Sequence, residues 1–252
     1  MSDDLFYTDL EGEQAMLVDV IDDGLEGELD DRIPELRRLL SEGDAEERLN
    51  AARMLVAWAD PVGIEALLYW AEHPDESPGA AVNRFTGGDA TFARLADALR
   101  TSQYSVRADE FAAQRVEAAR ALLSLADEQD FERDLGGAMM NAALRTPLVR
   151  ELQAAADRAV SAVEAGAEPG FDLGTQAANL LMPLAKEDDD AAAQLAERLI
   201  DVAPKDSRVL REIIDGMAAG SGPGTIDVLE RLRKSRDPAV REDAEAALAR
   251  RA

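Results

Sequence analysis

The sequence contains no cysteine. That excludes disulfides, thiolate metal sites and a cysteine nucleophile. Histidine occurs once, at His73. A zinc site would then need carboxylates for every other ligand, and a Ser-His-Asp triad would have to run through that one residue, with no serine in a Gly-x-Ser-x-Gly turn to serve it. Aromatic residues make up only 4%. No apolar run approaches the roughly 18 residues that a membrane-spanning helix needs. The opening MSDDLFYTDLEGE has neither the basic region nor the apolar stretch of a signal peptide, so the expectation is a soluble, cytoplasmic protein. Lysine is scarce: Lys186, Lys205 and Lys234 stand against a far larger number of arginines, as in a GC-rich genome or under salt adaptation.

Positive charge as a whole is in short supply. The chain has 252 residues, 52 acids against 27 bases, and a net charge of −25. Nucleic-acid binding usually shows a basic footprint, and anionic lipid repels acidic proteins, so both partners are argued against. A basic protein partner is permitted and would be steered in by long-range attraction. The charge is uneven: residues 1–50 carry 17 acids and 4 bases, residues 151–200 carry 10 and 3, and residues 201–252 carry 10 and 10. Two readings stay open, a solubilising surface and a functional acidic one.

Hydrophobic content is 46%, enough for a core, and alanine is abundant. Apolar residues recur at helical spacing almost throughout, and no segment alternates as a strand would. In 44–58, Leu49, Ala52, Leu55 and Val56 make a stripe, with Glu46, Glu47, Asn50 and Arg53 assigned to the other side. Asp44 is suited to an N-cap, because its short side chain accepts from the free amides of the first turn. Asp60-Pro61 restarts a helix, with Asp as cap and Pro at the first helical position. The pattern predicts about thirteen helices: 12–22, 29–42, 44–58, 61–72, 89–101, 107–126, 128–144, 147–165, 173–187, 189–203, 206–219, 223–235 and 238–251. Short connections place neighbours antiparallel. Segment 1–28 reads as an acidic helical cap, and 73–88, with two prolines and three glycines, as a long inserted loop.

Local chemical motifs are poor matches. GSGPGT at 220–225 lacks the Gly-Lys-Ser/Thr of a phosphate loop and reads as a turn before a helix. DVIDDGLEGELD at 19–30 has a glycine at the sixth place of a calcium loop, but Ile21 at the third and Glu26 where an apolar residue belongs. Asp188, Asp189 and Asp190 read as caps for helix 189–203. No catalytic residue, metal site or cofactor is expected.

A repeat is visible. RLNAARMLVAWAD at 48–60 and RVEAARALLSLAD at 115–127 align at a shift of 67, with Arg48 on Arg115, Ala51-Ala52 on Ala118-Ala119 and Leu55 on Leu122. Near the C-terminus, SRDPAVREDAEAALARR gives Arg241, Ala244 and Leu248 at the same places. A shift of 67 is twice a unit of about 33 residues, the size of a two-helix repeat. At these residues the chain resembles the HEAT-repeat family in its short bacterial form. DPAVREDAEAAL at 237–248 is the best match; 32–68, 108–135 and 225–251 are covered, while 136–222 departs from the motif.

The resemblance implies an all-α solenoid of stacked antiparallel helix pairs, a single domain over 1–252, in which each pair buries its neighbour's apolar face. It implies that the repeated arginine satisfies carbonyls or an Asp at the turn between helices. It also implies an open concave surface, with Asn50, Arg53, Ala57, Glu117, Arg120, Glu242 and Glu245 exposed on it. Trp58 and Trp70 read either as core or as interface anchors; Tyr69, Trp70, Arg84 and Phe85 lie close enough in sequence to form one patch. The candidate partner-binding residues are therefore Asn50, Arg53, Tyr69, Trp70, Arg84, Phe85, Glu117 and Arg120. The expected function is a non-enzymatic interaction module for a basic protein, of the immunity-protein type that neutralises a toxin. A bilin-lyase-like enzyme subunit and a structural scaffold are the alternatives, because a fold does not choose among functions.

Overall fold

The computed structural model describes residues 2–79, 88–203, 205 and 207–251. Among them there is no strand, and an antiparallel bridge joins Thr8 to Gln14. The all-α expectation is met. Contacts group the chain into two compact units, Met1–Leu122 and Leu123–Ala252.

The first unit contains α1 (Ser2–Tyr7), α2 (Leu17–Asp23), α3 (Ile33–Glu42), α4 (Ala45–Ala57), α5 (Pro61–Glu72) and α6 (Thr91–Thr101), and the division falls within α7 (Ala112–Ser124). Its centre is α4. Asp44 caps α4 by accepting from Glu47 N at 3.0 Å, and Glu47 returns the bond to Asp44 N at 3.0 Å. This reciprocal pair satisfies two amides that the helix itself cannot. Ala51, Ala52 and the run Met54–Ala57 are fully buried. A helix buried round most of its circumference is a core helix, and α3, α5 and α6 all pack on it. The stripe drawn from sequence was too narrow: Asn50 and Ala57 are buried, not exposed, because α4 is covered on several sides.

The turn from α4 to α5 is tight. Ala59 takes a left-handed φ of 54°, and Asp60 then caps α5 by accepting from Val62 N at 3.0 Å. Gly63 allows the close approach of the two helices: a Cβ there would lie 2.5 Å from Leu55 Cβ. Trp58 is wholly buried and is core.

The second unit contains α8 (Asp134–Ala138), α9 (Ala142–Arg145), α10 (Val149–Glu164), α11 (Leu173–Ala185), α12 (Asp189–Val202), α13 (Ser207–Ala219), α14 (Pro223–Leu232) and α15 (Pro238–Ala249). Here α10 packs on α12 and α12 on α14, while α11 packs on α13 and α13 on α15. Ties between alternate helices recur at nearly constant spacing. Arg198 of α12 grips Glu164 of α10, 34 residues earlier. Arg231 of α14 grips Glu197 of α12, again 34 residues earlier. Asp189 accepts from Gly222 N, 33 residues later, at 2.9 Å and from Thr225 N at 3.1 Å. The interval is close to the unit of about 33 residues, and every tie has at least one end in 136–222, where the sequence motif fades.

Several sequence expectations change. The helix expected over 12–22 is shorter, because α2 begins only at Leu17. The helix expected over 107–126 begins at Ala112, because 105–108 is a turn in which Ser105 Oγ donates to Trp58 O at 2.9 Å. The helix expected over 128–144 is two short ones. Glu132 has a left-handed φ of 50°, and the Gln176 side chain takes over the local backbone groups: it accepts from Phe131 N at 2.7 Å and donates to Ala126 O at 2.7 Å. Of the acidic triplet, Asp188 caps α12 through Ala191 N at 2.9 Å, but Asp189 serves the start of α14 instead. Burial opposes ionisation of Asp189, and the donors from Gly222 and Thr225 outweigh it, so its carboxyl sits below the ordinary value.

The repeated arginine has its expected role at two positions of three. Arg115 is buried, donates to Ala108 O at 3.2 Å and to Ser102 Oγ at 2.7 Å. Arg241 donates to Ser235 O at 3.1 Å. Arg48 departs: its guanidinium lies 5.6 Å from the centroid of the Trp70 ring.

Candidate functional site: an acidic corner with exposed apolar residues

The first unit presents large apolar side chains to solvent beside a group of carboxylates. The platform is α2. Leu17, Val20 and Ile21 face inward, and Trp58 Nε1 donates to Ile21 O at 2.8 Å in a buried position. Gly24 ends the helix against the same indole; a Cβ there would lie 2.2 Å from Trp58 Cε2. The inner face being fixed, Met16, Val18, Asp19 and Asp22 must point outward, since a helix turns about 100° per residue.

The segment before α2 is bound to it. Arg32 donates to Leu5 O at 3.0 Å and to Thr8 O at 2.7 Å, satisfying carbonyls at the end of α1. Leu10 N donates to Asp23 Oδ2 at 3.0 Å, which holds Leu10 beside α2. On the far side, Val106 N donates to Leu25 O at 3.0 Å, and Arg107 pairs with Asp30. Tyr104 and Val106 therefore stand next to the turn that follows α2. Met16 is 66% exposed and Tyr104 63%, with Leu10, Val18 and Val106 also exposed.

Carboxylates crowd this corner. Burial lifts the Asp22 carboxyl above its ordinary value, and the charges of Asp19, Asp23 and Asp97 push it the same way. Arg100, which pairs with Asp97, is the opposing charge. The result is a set of like charges held together by the fold. Such a field attracts a cationic surface, and exposed apolar side chains within it supply the area that dehydrates on contact. Among the described residues, no group of three or more His, Cys, Asp or Glu side chains is arranged to hold a metal ion. No helix among them is long and apolar enough to cross a membrane.

Comparison with known proteins yields no matching family model, no matching curated protein and no matching solved structure.

The residues nominated from sequence are scattered. Asn50 is 7% exposed, with Nδ2 3.5 Å from Tyr7 Oη. Arg53 is half-buried on α4. Tyr69 is 46% exposed and donates to Glu76 while stacking on His73, centroids 4.6 Å apart. Trp70, its neighbour, is 2% exposed and points into the core, so the two do not form one surface patch. Arg84 and Phe85 lie outside the described residues. Glu117 is exposed and pairs with the half-buried Arg120 on α7. Sequence reasoning missed Met16, Val18, Tyr104 and Val106. The available signal was an apolar residue out of phase with its helix: Val18 directly follows the inward Leu17.

Proposed function

We propose that this chain is a non-enzymatic protein-interaction module that binds a basic protein on the acidic corner of its first unit. One observation carries this reading: exposed Leu10, Met16 and Val18 share a surface with Asp19, Asp22 and Asp23. Apolar anchors within a charged rim are what a protein interface requires, and the sign of the rim selects the partner. The finer form of the reading is an immunity-type inhibitor, in which the acidic corner covers a cationic working surface of its target. In the second unit, the packing of alternate helices supports an α-solenoid of helix pairs.

The test is affinity capture with the intact chain, at about 50 mM and about 500 mM salt. A basic partner retained at low salt and released at high salt supports the reading. Capture that ignores salt, or selects acidic proteins, overturns it.

A further inference from the structure

The second unit holds a feature of the opposite sign. A cleft of about 710 Å³ opens between the C-terminal ends of α12 and α14 and the N-terminal ends of α13 and α15. Ile200, Leu210 and Leu232 form its floor. Lys205, Lys234 and Arg236 stand on its walls, so two of the three lysines in the chain gather at one cleft. These three cations make no ion pair with a described carboxylate. The fourth, Arg231, is occupied by Glu197 and Asp201. Asp237 is the one carboxylate in the lining; it accepts from Ala239 N at 2.9 Å as the cap of α15, and the cations of the lining outnumber it. What sets this cleft apart is the combination: three cations without a carboxylate partner among the described residues, gathered over an apolar floor in a chain of −25.

We propose that this cleft binds a small organic anion with an apolar body: a carboxylate or phosphate head group on Lys205, Lys234 and Arg236, and a tail on Ile200, Leu210 and Leu232. The size is within the range of small-molecule sites. Ammonium and guanidinium groups together suit an oxyanion, the lysines as point charges and the arginine as a fork. Charge on the rest of the molecule sets the size of the ligand. Repulsion from a net −25 grows with the charge of whatever approaches, so nucleic acid or an acidic protein is opposed far more than a ligand with one or two charges. At physiological salt the screening length is about 8 Å, so a small ligand inside the cleft feels mainly the local cations. The cleft lies in the second unit and the acidic corner in the first, so either proposal stands if the other fails.

Calorimetric titration of the full chain tests this with octyl phosphate, octanoate, inorganic phosphate, octyl glucoside and a Glu/Leu-rich peptide, the amphiphiles below their micellar concentrations. Octyl phosphate or octanoate is expected to bind one to one, at least about tenfold tighter than inorganic phosphate, octyl glucoside or the peptide; whichever binds tighter identifies the head group. The Lys234→Glu/Arg236→Glu variant, altered only at exposed positions, should keep its circular dichroism and lose roughly tenfold in affinity. Failure of both amphiphiles to bind, equal binding by the variant, or a tighter complex with phosphate alone, the neutral glucoside or the peptide would overturn the proposal.

Discussion

Trp58 Nε1 donates to the carbonyl oxygen of Ile21 at 2.8 Å, inside a core where the indole is wholly buried. This bond joins the central helix α4 to α2, the helix that presents Val18 and Asp22. The helix that carries the acidic corner is therefore tied directly to the core beneath it. Trp58→Phe keeps most of the apolar volume but leaves the Ile21 carbonyl without its partner. The loss is expected to be about 2 kcal/mol, seen as a lower urea midpoint with an unchanged slope, and as faster hydrogen exchange over 17–23.

Asp60 combines two duties: it caps α5 through Val62 N, and it accepts a two-pronged contact from Arg37, 2.7 Å at the shorter bond. Its side chain is 4% exposed, while that of Arg37 is 44% exposed. Asp60→Ala removes the cap and strands a cation, for a loss of roughly 2 kcal/mol. Arg37→Ala, with its partner still capping, should cost less than about 1 kcal/mol, since half-exposed pairs are weakened by solvent. A double-mutant cycle under urea separates the two duties.

The caps at Asp44, Asp60, Asp188 and Asp237 were legible in the sequence because a cap is local: a short polar side chain serves amides two or three residues ahead. The all-α class was legible for the same reason, through helical periodicity. Asp189 was misassigned because its partners are 33 and 36 residues away. The split of 128–144 depends on Gln176, which no local window contains. The acidic corner was legible as charge, but not as a surface. Which face of α2 turns inward depends on distant partners such as Trp58, 37 residues beyond the Ile21 carbonyl it binds.

Two carboxylates give opposite pH signatures. Asp22 has its folded pKa raised above the ordinary 3.8, so its ionisation opposes folding. Stability falls as pH rises through the interval between the unfolded and folded values. Asp22→Asn should be more stable than the parent at pH 7 and equal to it at about pH 3. Asp189 has its folded pKa lowered, so its contribution is complete above the ordinary 3.8 and is lost as pH falls through the folded value. Asp189→Asn should be less stable at pH 7, with the gap closing in acid. Thermal melts at both pH values check the two signs.

Salt should stabilise the whole chain. A net −25 repels itself, and raising the ionic strength from about 0.1 M to about 1 M shortens the screening length from about 10 Å to about 3 Å. The urea midpoint is expected to rise with sodium chloride. A flat or falling midpoint would mean that cross-helix pairs such as Arg198 with Glu164 outweigh the repulsion.

Capture of a basic partner by paired variants of the corner tests the central claim most directly. Asp19→Asn/Asp22→Asn removes charge from the rim, and Met16→Asp/Val18→Asp removes the anchors, all at exposed positions on or immediately before one short helix. Binding measured at low salt should weaken by roughly tenfold in the first variant and more in the second, with both variants folded by circular dichroism. A partner that binds both variants as tightly as the parent would contradict the account.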